Sequence, residues 1–262
     1  MPAIDTGTVV LHYADRGQGG RPVLLLHELG GSSESWAATL PRFAARGRTV
    51  APDLRWAGRS EKPTAPGSIA DLADDLAALS DALGVAAWDV VGSALGALVG
   101  AVLAMRHPAR VRRLAMFAVS DDLGGRVAEY LAERAARVRT VGMRGVADAS
   151  LANAFPEGFE AERAAYRPIY MGNDPAGFAE LSLALSRLRL GPSDWASIRC
   201  PVQAGSGARD FIWPPEHGRR VAALIPGARF ALLPDAGHFP HMQSPEALAN
   251  AAIAFLDDGD DR

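Results

Sequence analysis

A chain of 262 residues, 48% of them apolar and 22% charged, is long enough to bury one large core and has the balance of an ordinary globular protein. A formal net charge of -3, with basic residues scattered among acids, excludes a phosphate-tracking stripe and so nucleic acid as a partner. The single cysteine, Cys200, excludes an internal disulfide and an all-cysteine metal site; with no basic leader at Met1 and no run of the ~20 apolar residues that span a bilayer, residence in the cytoplasm away from membranes is the expectation.

Thr8 to Tyr13 alternates and is followed by the turn-rich Asp15 to Gly20, which predicts an edge hairpin. Pro22 to Leu26 is a continuous apolar run of strand length, and similar runs recur at Thr49–Ala51, Trp88–Val91, Leu114–Val119, Val202–Ala204 and Phe230–Leu233. Runs of this kind belong to strands buried on both faces. Helical spacing over Ser35–Arg46, Ser68–Leu83 and Leu95–Arg106 separates them, so the chain alternates strand and helix as a mostly parallel sheet covered on both faces requires. From Gly124 to about Leu190 the pattern is helical throughout, with breaks expected at Gly142, Pro156, Pro168 and Pro175. The domain reading is therefore a core over 1–122 and 196–262 that carries an inserted helical cap over 123–195. Alternation resumes at Cys200-Pro201-Val202 and ends in a helix over Ser244–Leu256, followed by a short acidic tail, Asp257 to Arg262, expected to fray.

In Asp89-Val90-Val91-Gly92-Ser93-Ala94-Leu95-Gly96, a buried strand runs into a tight turn and then a small-residue helix. The spacing of Gly92 and Gly96 is that of a nucleophile elbow, G-x-S-x-G, whose strained turn leaves no room for side chains at the two glycines. The nucleophile position is held by Ala94, whose methyl group cannot attack a carbonyl. Ser93 is no substitute, since its neighbours two positions away are Val91 and Leu95. Gly237-His238-Phe239 falls after the last strand, and Asp210 follows the penultimate one, just before the helix-starting Pro214-Pro215. Nucleophile, acid and base thus occur in the chain order used by α/β-hydrolase triads, with Asp121 as the second choice of acid. Leu26-His27-Glu28-Leu29-Gly30-Gly31 is a strand end and turn whose backbone N–H at Leu29, with the N–H of Leu95, is placed to form an oxyanion hole. Glu28 either faces solvent or handles protons or substrate.

Five blocks in order carry a resemblance to the α/β-hydrolases over nearly the whole chain: HELGGSSESW, DLRWAGRSEKP, GSALG, GARDFIWPPEH and LPDAGHFPHMQSPEAL. Within that superfamily Leu29-Gly30, Val138 to Met143 and Asn173 to Phe178 are most similar to 3-oxoadipate enol-lactonases. Two departures are Asn153-Ala154-Phe155, where those enzymes often carry Arg-Trp-Phe, and Trp56-Ala57, which replaces the usual Gly-His. The resemblance implies a serine hydrolase of a small-molecule ester or lactone working through a Ser-Asp-His triad without a cofactor or metal. In this chain the nucleophile is replaced by alanine. Two alternatives stay open: proton-transfer or lyase chemistry with His238 as base on a natively serine-less site, and a ligand-binding protein without catalysis.

His27 and His241 read as structural, and Cys200 lacks a basic partner that would make it reactive. Phe155, Phe211 and Trp213, with Tyr166 and Tyr170 of the cap, either line a substrate pocket or belong to the core. The cap arginines Arg126, Arg134, Arg137, Arg139, Arg163, Arg167, Arg187 and Arg189 leave the substrate's charge open, and the sequence does not set an oligomeric state.

Overall fold

The apolar runs assemble into one eight-stranded sheet in a computed structural model that describes residues 2–258. Its strands are β1 (Ala3–Asp5), β2 (Val10–Arg16), β3 (Val23–Leu26), β4 (Thr49–Pro52), β5 (Trp88–Ser93), β6 (Val111–Phe117), β7 (Val202–Gly207) and β8 (Arg229–Leu233). They lie in the order β1-β2-β4-β3-β5-β6-β7-β8. The pairings β1–β2 and β2–β4 are antiparallel, and every pairing from β4 to β8 is parallel. All residues of β3, β4, β5 and β7 are buried, which is why these strands are apolar on both faces rather than alternating.

Eleven helices surround or cap the sheet among the described residues: α1 (Leu40–Ala44), α2 (Ile69–Ala82), α3 (Leu95–Arg106), α4 (Gly125–Val141), α5 (Arg144–Ala154), α6 (Glu160–Met171), α7 (Pro175–Arg187), α8 (Pro192–Ala196), α9 (Pro215–Leu224), α10 (Pro240–Gln243) and α11 (Pro245–Asp257). The period-two alternation of strand side chains sorts them into two apolar layers. Leu24, Leu26, Val90, Leu114 and Met116 pack with Leu72, Leu76, Leu98 and Val102 of α2 and α3. Val23, Leu25, Val91, Ala115 and Phe117 pack with Phe43 of α1 and Leu248, Ala252 and Phe255 of α11 on the other face. Helices α4 to α7 fall between β6 and β7, with α4 packed along α7, and their inner residues Leu131, Val138, Leu151, Tyr166 and Phe178 extend the first layer over the sheet's carboxyl edge. No helix among the described residues is long and apolar enough to cross a membrane.

Local signals decide most boundaries. Ser68 accepts from the backbone N–H of Asp71, and the Asp71 carboxylate accepts from Ser68 N–H at 2.7 Å, so a capping box starts α2. Pro175 and Pro215 occupy the first turns of α7 and α9, where a missing N–H costs nothing. Four local expectations change. The helix expected over 35–46 is a 3-10 turn at Ser33–Trp36, capped by Ser32, and then the separate α1, because Pro41 forces a new start. Pro168 lies inside α6 and does not break it; the helix runs on to Met171, and the Pro168 carbonyl still accepts from Gly172 N–H at 2.9 Å. β2 runs on to Arg16 and is an inner strand, its hairpin partner being the preceding β1; Asp15 and Arg16 pair with Val50 and Thr49, and Arg48 holds the Asp15 carboxylate at 2.9 Å. Of the acidic tail, Asp257 pairs with Arg46 at 2.7 Å and Asp258 with Arg229, while residues 259–262 lie outside the described residues.

Candidate active site

The turn between β5 and α3 is set by two close approaches. A Cβ on Gly92 would sit 2.5 Å from the Gly96 carbonyl oxygen, and one on Gly96 would sit 2.1 Å from the Leu26 carbonyl oxygen, so neither position accepts a side chain. The intervening chain must turn within one residue, and Ala94 takes that strain at φ 50° and ψ -112°, a conformation non-glycine residues rarely hold. Its N–H is anchored to the Phe117 carbonyl of β6 at 2.9 Å. The alanine methyl therefore occupies the tip of an intact elbow, at the wall of a cavity of about 290 Å³. Ser93, the other hydroxyl in the stretch, is fully buried at the end of β5 and does not line that cavity.

Asp210 and His238 come together as the sequence order implies. Asp210, 2% exposed, accepts from the Ile212 and Trp213 N–H groups on one oxygen, both at 2.9 Å, and lies 2.9 Å from His238 Nδ1 with the other. An ionised acceptor in that place fixes the proton on Nδ1 and leaves Nε2 as the basic nitrogen. His238 lines the same cavity as Ala94, between Trp213 and Phe239, whose rings lie 5.3 and 5.0 Å from the imidazole. Asp121 is not the acid. Its carboxylate is clamped by Arg220 through Nε and one terminal nitrogen of the guanidinium, at 2.8 to 3.1 Å, and makes no contact with His238 among the described residues.

The loop after β3 closes the third side. Leu29 and Leu95 both line the cavity, and neither backbone N–H has a protein acceptor among the described residues. Two unpaired donors on residues that line one cavity suit an oxygen that gains charge during a reaction. His27 is structural, as expected: its Nδ1 lies 2.8 Å from the Glu28 carbonyl and its Nε2 accepts from Leu54 N–H at 3.0 Å.

Glu28 neither faces solvent nor lines the cavity. It is fully buried, its Oε1 accepting from Ser35 Oγ at 2.8 Å and its Oε2 lying 2.9 Å from Nε2 of His241, which is also fully buried. Burial pushes the Glu28 pKa up, but the charge and contact of His241, and then His27, outweigh it and bring it from 4.5 down to about 2. His241 rests on the Trp36 ring at 4.6 Å, so its place beside the active-site loop includes a partner the sequence did not suggest.

The aromatic candidates divide. Trp213, Tyr166 and Tyr170 line the cavity. Phe155 is 2% exposed and packs behind it, 5.5 Å from Tyr166 and 5.6 Å from Phe239, because apolar neighbours on α6 and the histidine loop take up its ring. Phe211 is 74% exposed and borders a separate surface depression with Tyr130 and Asn153, since its neighbours Asp210 and Trp213 are the ones turned inward. Among the cap arginines, Arg139 pairs with Glu180, Arg167 with Asp148, and Arg187 and Arg189 donate to backbone carbonyls. Arg126 and Arg134 line the cavity. Arg134 is half-buried between the rings of Tyr130 and Phe178, at 5.1 and 5.2 Å, with a buried Nε that has no hydrogen-bond partner and no carboxylate paired to it among the described residues. The Cys200 thiol is pushed up to about 11 by burial, which removes it as a nucleophile.

Two residues to which the sequence assigned no role hold the cap to the site. Gln243 accepts from the N–H groups of Gly237 and Phe239 at 3.0 and 2.9 Å and donates to the Ala154 carbonyl of α5 at 2.9 Å, fixing both flanks of His238. Asn173 donates to the Gly30 carbonyl at 2.7 Å and to Tyr170 at 3.1 Å, tying the loop between α6 and α7 to the loop of Leu29. Their only sequence signal is a buried amide within a motif block, which has no meaning until the partner backbone is known. Among the described residues no group of three or more His, Cys, Asp or Glu is arranged to hold a metal ion.

A family model described as alpha/beta hydrolase fold matches residues 21–245. RutD, a Caulobacter protein named as a candidate carbamate hydrolase, is 29% identical over 240 residues, covering 89% of this chain and 90% of that protein. The crystal structure of the enol-lactonase from Burkholderia xenovorans superposes with a TM-score of 0.93 at 30% identity, covering 98% of this chain and all of that one. A thermophilic esterase from Thermogutta terrifontis, with malate bound, follows at a TM-score of 0.89 and 27% identity, covering 95% and 93%.

The Glu28 shift has a consequence for stability. A carboxyl whose folded pKa lies below its ordinary 4.5 contributes stability that is complete above that pH and is lost as pH falls through about 2. Glu28→Gln is therefore expected to be less stable than the parent by on the order of 3 kcal/mol near neutrality. Urea unfolding at a series of pH values should show that gap closing between pH 4.5 and 2; a gap independent of pH in this window contradicts the assignment.

Proposed function

The chain belongs to the alpha/beta hydrolase family, and from that premise we propose that its site is built to cleave carboxylic esters or lactones through a serine at position 94. The observation that carries this reading is the convergence of the elbow tip, the His238–Asp210 pair and the free N–H groups of Leu29 and Leu95 on one cavity. With serine at the tip, His238 Nε2 takes the hydroxyl proton as Oγ attacks the carbonyl carbon. Asp210 holds the imidazole in the required tautomer, and the two N–H groups receive the oxyanion. His238 then returns the proton to the leaving alcohol, and in the second half of the cycle it activates water to release the acyl group. With alanine there, the first bond cannot form, and the site is left able to bind but not to acylate. The enol-lactonase and esterase relatives support esters and lactones; the RutD relative makes carbamates the neighbouring class to try.

An intact acid–base pair beside an alanine also supports a second reading, in which His238 moves a proton of a bound substrate without any covalent intermediate. One comparison separates the two. Ala94→Ser is expected to raise kcat/KM for small activated esters and lactones by on the order of 10⁴ to 10⁶ over the parent, and His238→Ala in that background to remove the gain. Equal rates for the serine and alanine proteins, in folded samples, reject the serine-hydrolase reading. Turnover by the alanine protein that needs His238 supports the second.

Arg134 supports a substrate with an anionic end, because among the described residues no carboxylate pairs with this half-buried guanidinium in the cavity wall. In the Ala94→Ser protein, Arg134→Leu should raise KM for a monoester of a dicarboxylic acid about tenfold or more and leave KM for a neutral ester of the same length within about threefold. Equal changes for both esters contradict the assignment.

A further inference from the structure

We propose that Glu28 and His241 are positioning residues for the reaction proposed above, a buried charge pair that couples the oxyanion loop to the histidine loop and neutralises a carboxylate that would otherwise oppose the oxyanion. The inference rests on the proposed function for its kinetic part and stands on geometry of its own.

Glu28 immediately precedes Leu29, one of the two free N–H donors, and His241 lies three residues after His238 at the start of α10. The 2.9 Å contact between Oε2 and Nε2 is thus a direct link between the two loops that must keep their register for proton transfer and oxyanion binding to occur together. The surrounding backbone is shaped around it. A Cβ on Gly31 would fall 2.1 Å from Glu28 Oε1, so the turn that carries Leu29 is folded directly over the carboxylate. Ser35 holds Oε1 from the adjoining 3-10 turn, and Trp36 of the same turn supports His241 from beneath.

The pair is also close to the chemistry. Tyr166 of α6 lines the cavity with its ring and brings its buried hydroxyl beside the Glu28 carboxylate; burial first, and then that charge, push the hydroxyl pKa well above its ordinary value. The titratable groups facing Glu28 are therefore His241 from α10, His27 from its own loop and Tyr166 from the cap. A carboxylate at this depth without its histidine sits one residue from the oxyanion donor in a medium that screens charge poorly, and the two negative charges repel. With His241 set 2.9 Å from it, the carboxylate is turned onto its own partner, and the aimed N–H groups act on the developing oxyanion.

Charge removal in both orders tests this. In the Ala94→Ser background, His241→Gln strands the Glu28 charge and is expected to lower kcat for a neutral activated ester by about 10² at pH 8, with KM within about threefold. Its kcat relative to that of the Ala94→Ser protein should rise as pH is lowered, because a carboxyl without its histidine partner takes up a proton more readily while the His238 dependence is common to both. The Glu28→Gln, His241→Gln double variant should recover at least about tenfold of the loss and show no such rise. A packing role alone would give no pH-dependent recovery. The same variants in the parent Ala94 chain, titrated with sodium butyrate by calorimetry, give a readout that needs no hydrolysis: Kd rises about tenfold for His241→Gln at pH 8 and returns to within about threefold in the double variant. Failure of the Ala94→Ser protein to hydrolyse esters would reject the proposed function and leave the butyrate titration to decide the pair. Butyrate affinities within threefold across the three proteins, or a double variant as impaired as His241→Gln, overturn the charge-pair assignment.

Discussion

The architecture turns on how closely the amino end of α3 approaches the carboxyl end of β3. With no atom beyond Cα at Gly96, the helix backbone can lie against the Leu26 carbonyl, and with none at Gly92 the preceding strand can lie against the helix. Everything at the site follows from that contact. The chain must reverse between Gly92 and Gly96, residue 94 must adopt a positive φ, and its side chain must project from the carboxyl edge of the sheet. The same contact sets Leu95 N–H beside the loop that leaves β3, so the tip of the elbow and both free donors share one wall of the cavity. Because β3, β5 and β6 are adjacent and β7 and β8 complete the parallel side, the loops bearing Asp210 and His238 arrive at the same edge.

The cap is held to that edge by amides rather than by an apolar seal alone. Gln243 bonds both flanks of His238 and reaches Ala154 of α5, and Asn173 reaches the Gly30 carbonyl of the Leu29 loop. Each satisfies backbone groups that burial beneath the cap would otherwise leave unpaired, so docking of the cap and ordering of the two site loops are one event energetically. Glu28 and His241 add a charged link beneath the same loops. The loops of Leu29 and His238 are thus tied down by hydrogen bonds, and the cavity beside them is lined by tyrosine, leucine and tryptophan.

The layered core was legible because burial on both faces forces continuous apolar runs, and the elbow because Gly92 and Gly96 fall between a buried strand and a helix in a chain that also carries the acid, histidine and Leu29 blocks in order. Asp210 and His238 were legible from their place after the last strands. What the sequence could not show were partners brought together from distant segments. Glu28 reads as an exposed or catalytic acid until His241 is seen against it, and Asp121 competes as the acid until Arg220 is seen to hold it. Phe155 and Phe211 share a residue type and a neighbourhood in the motif blocks, yet one is in the core and the other in solvent, a difference set by which neighbour faces inward. Trp56 is a further case. It holds φ 69° where the resembled block usually has glycine, and its indole is kept there by the Pro63 carbonyl at 2.8 Å.

The central claim is that position 94 is the nucleophile position of a complete hydrolase site. Mass spectrometry of the protein after incubation with a fluorophosphonate tests it without assuming any substrate. The account predicts a single covalent adduct on residue 94 of the folded Ala94→Ser protein, lost with His238→Ala and absent from the parent chain. A folded serine protein that forms no adduct, or an adduct on any other residue of the parent, would contradict it.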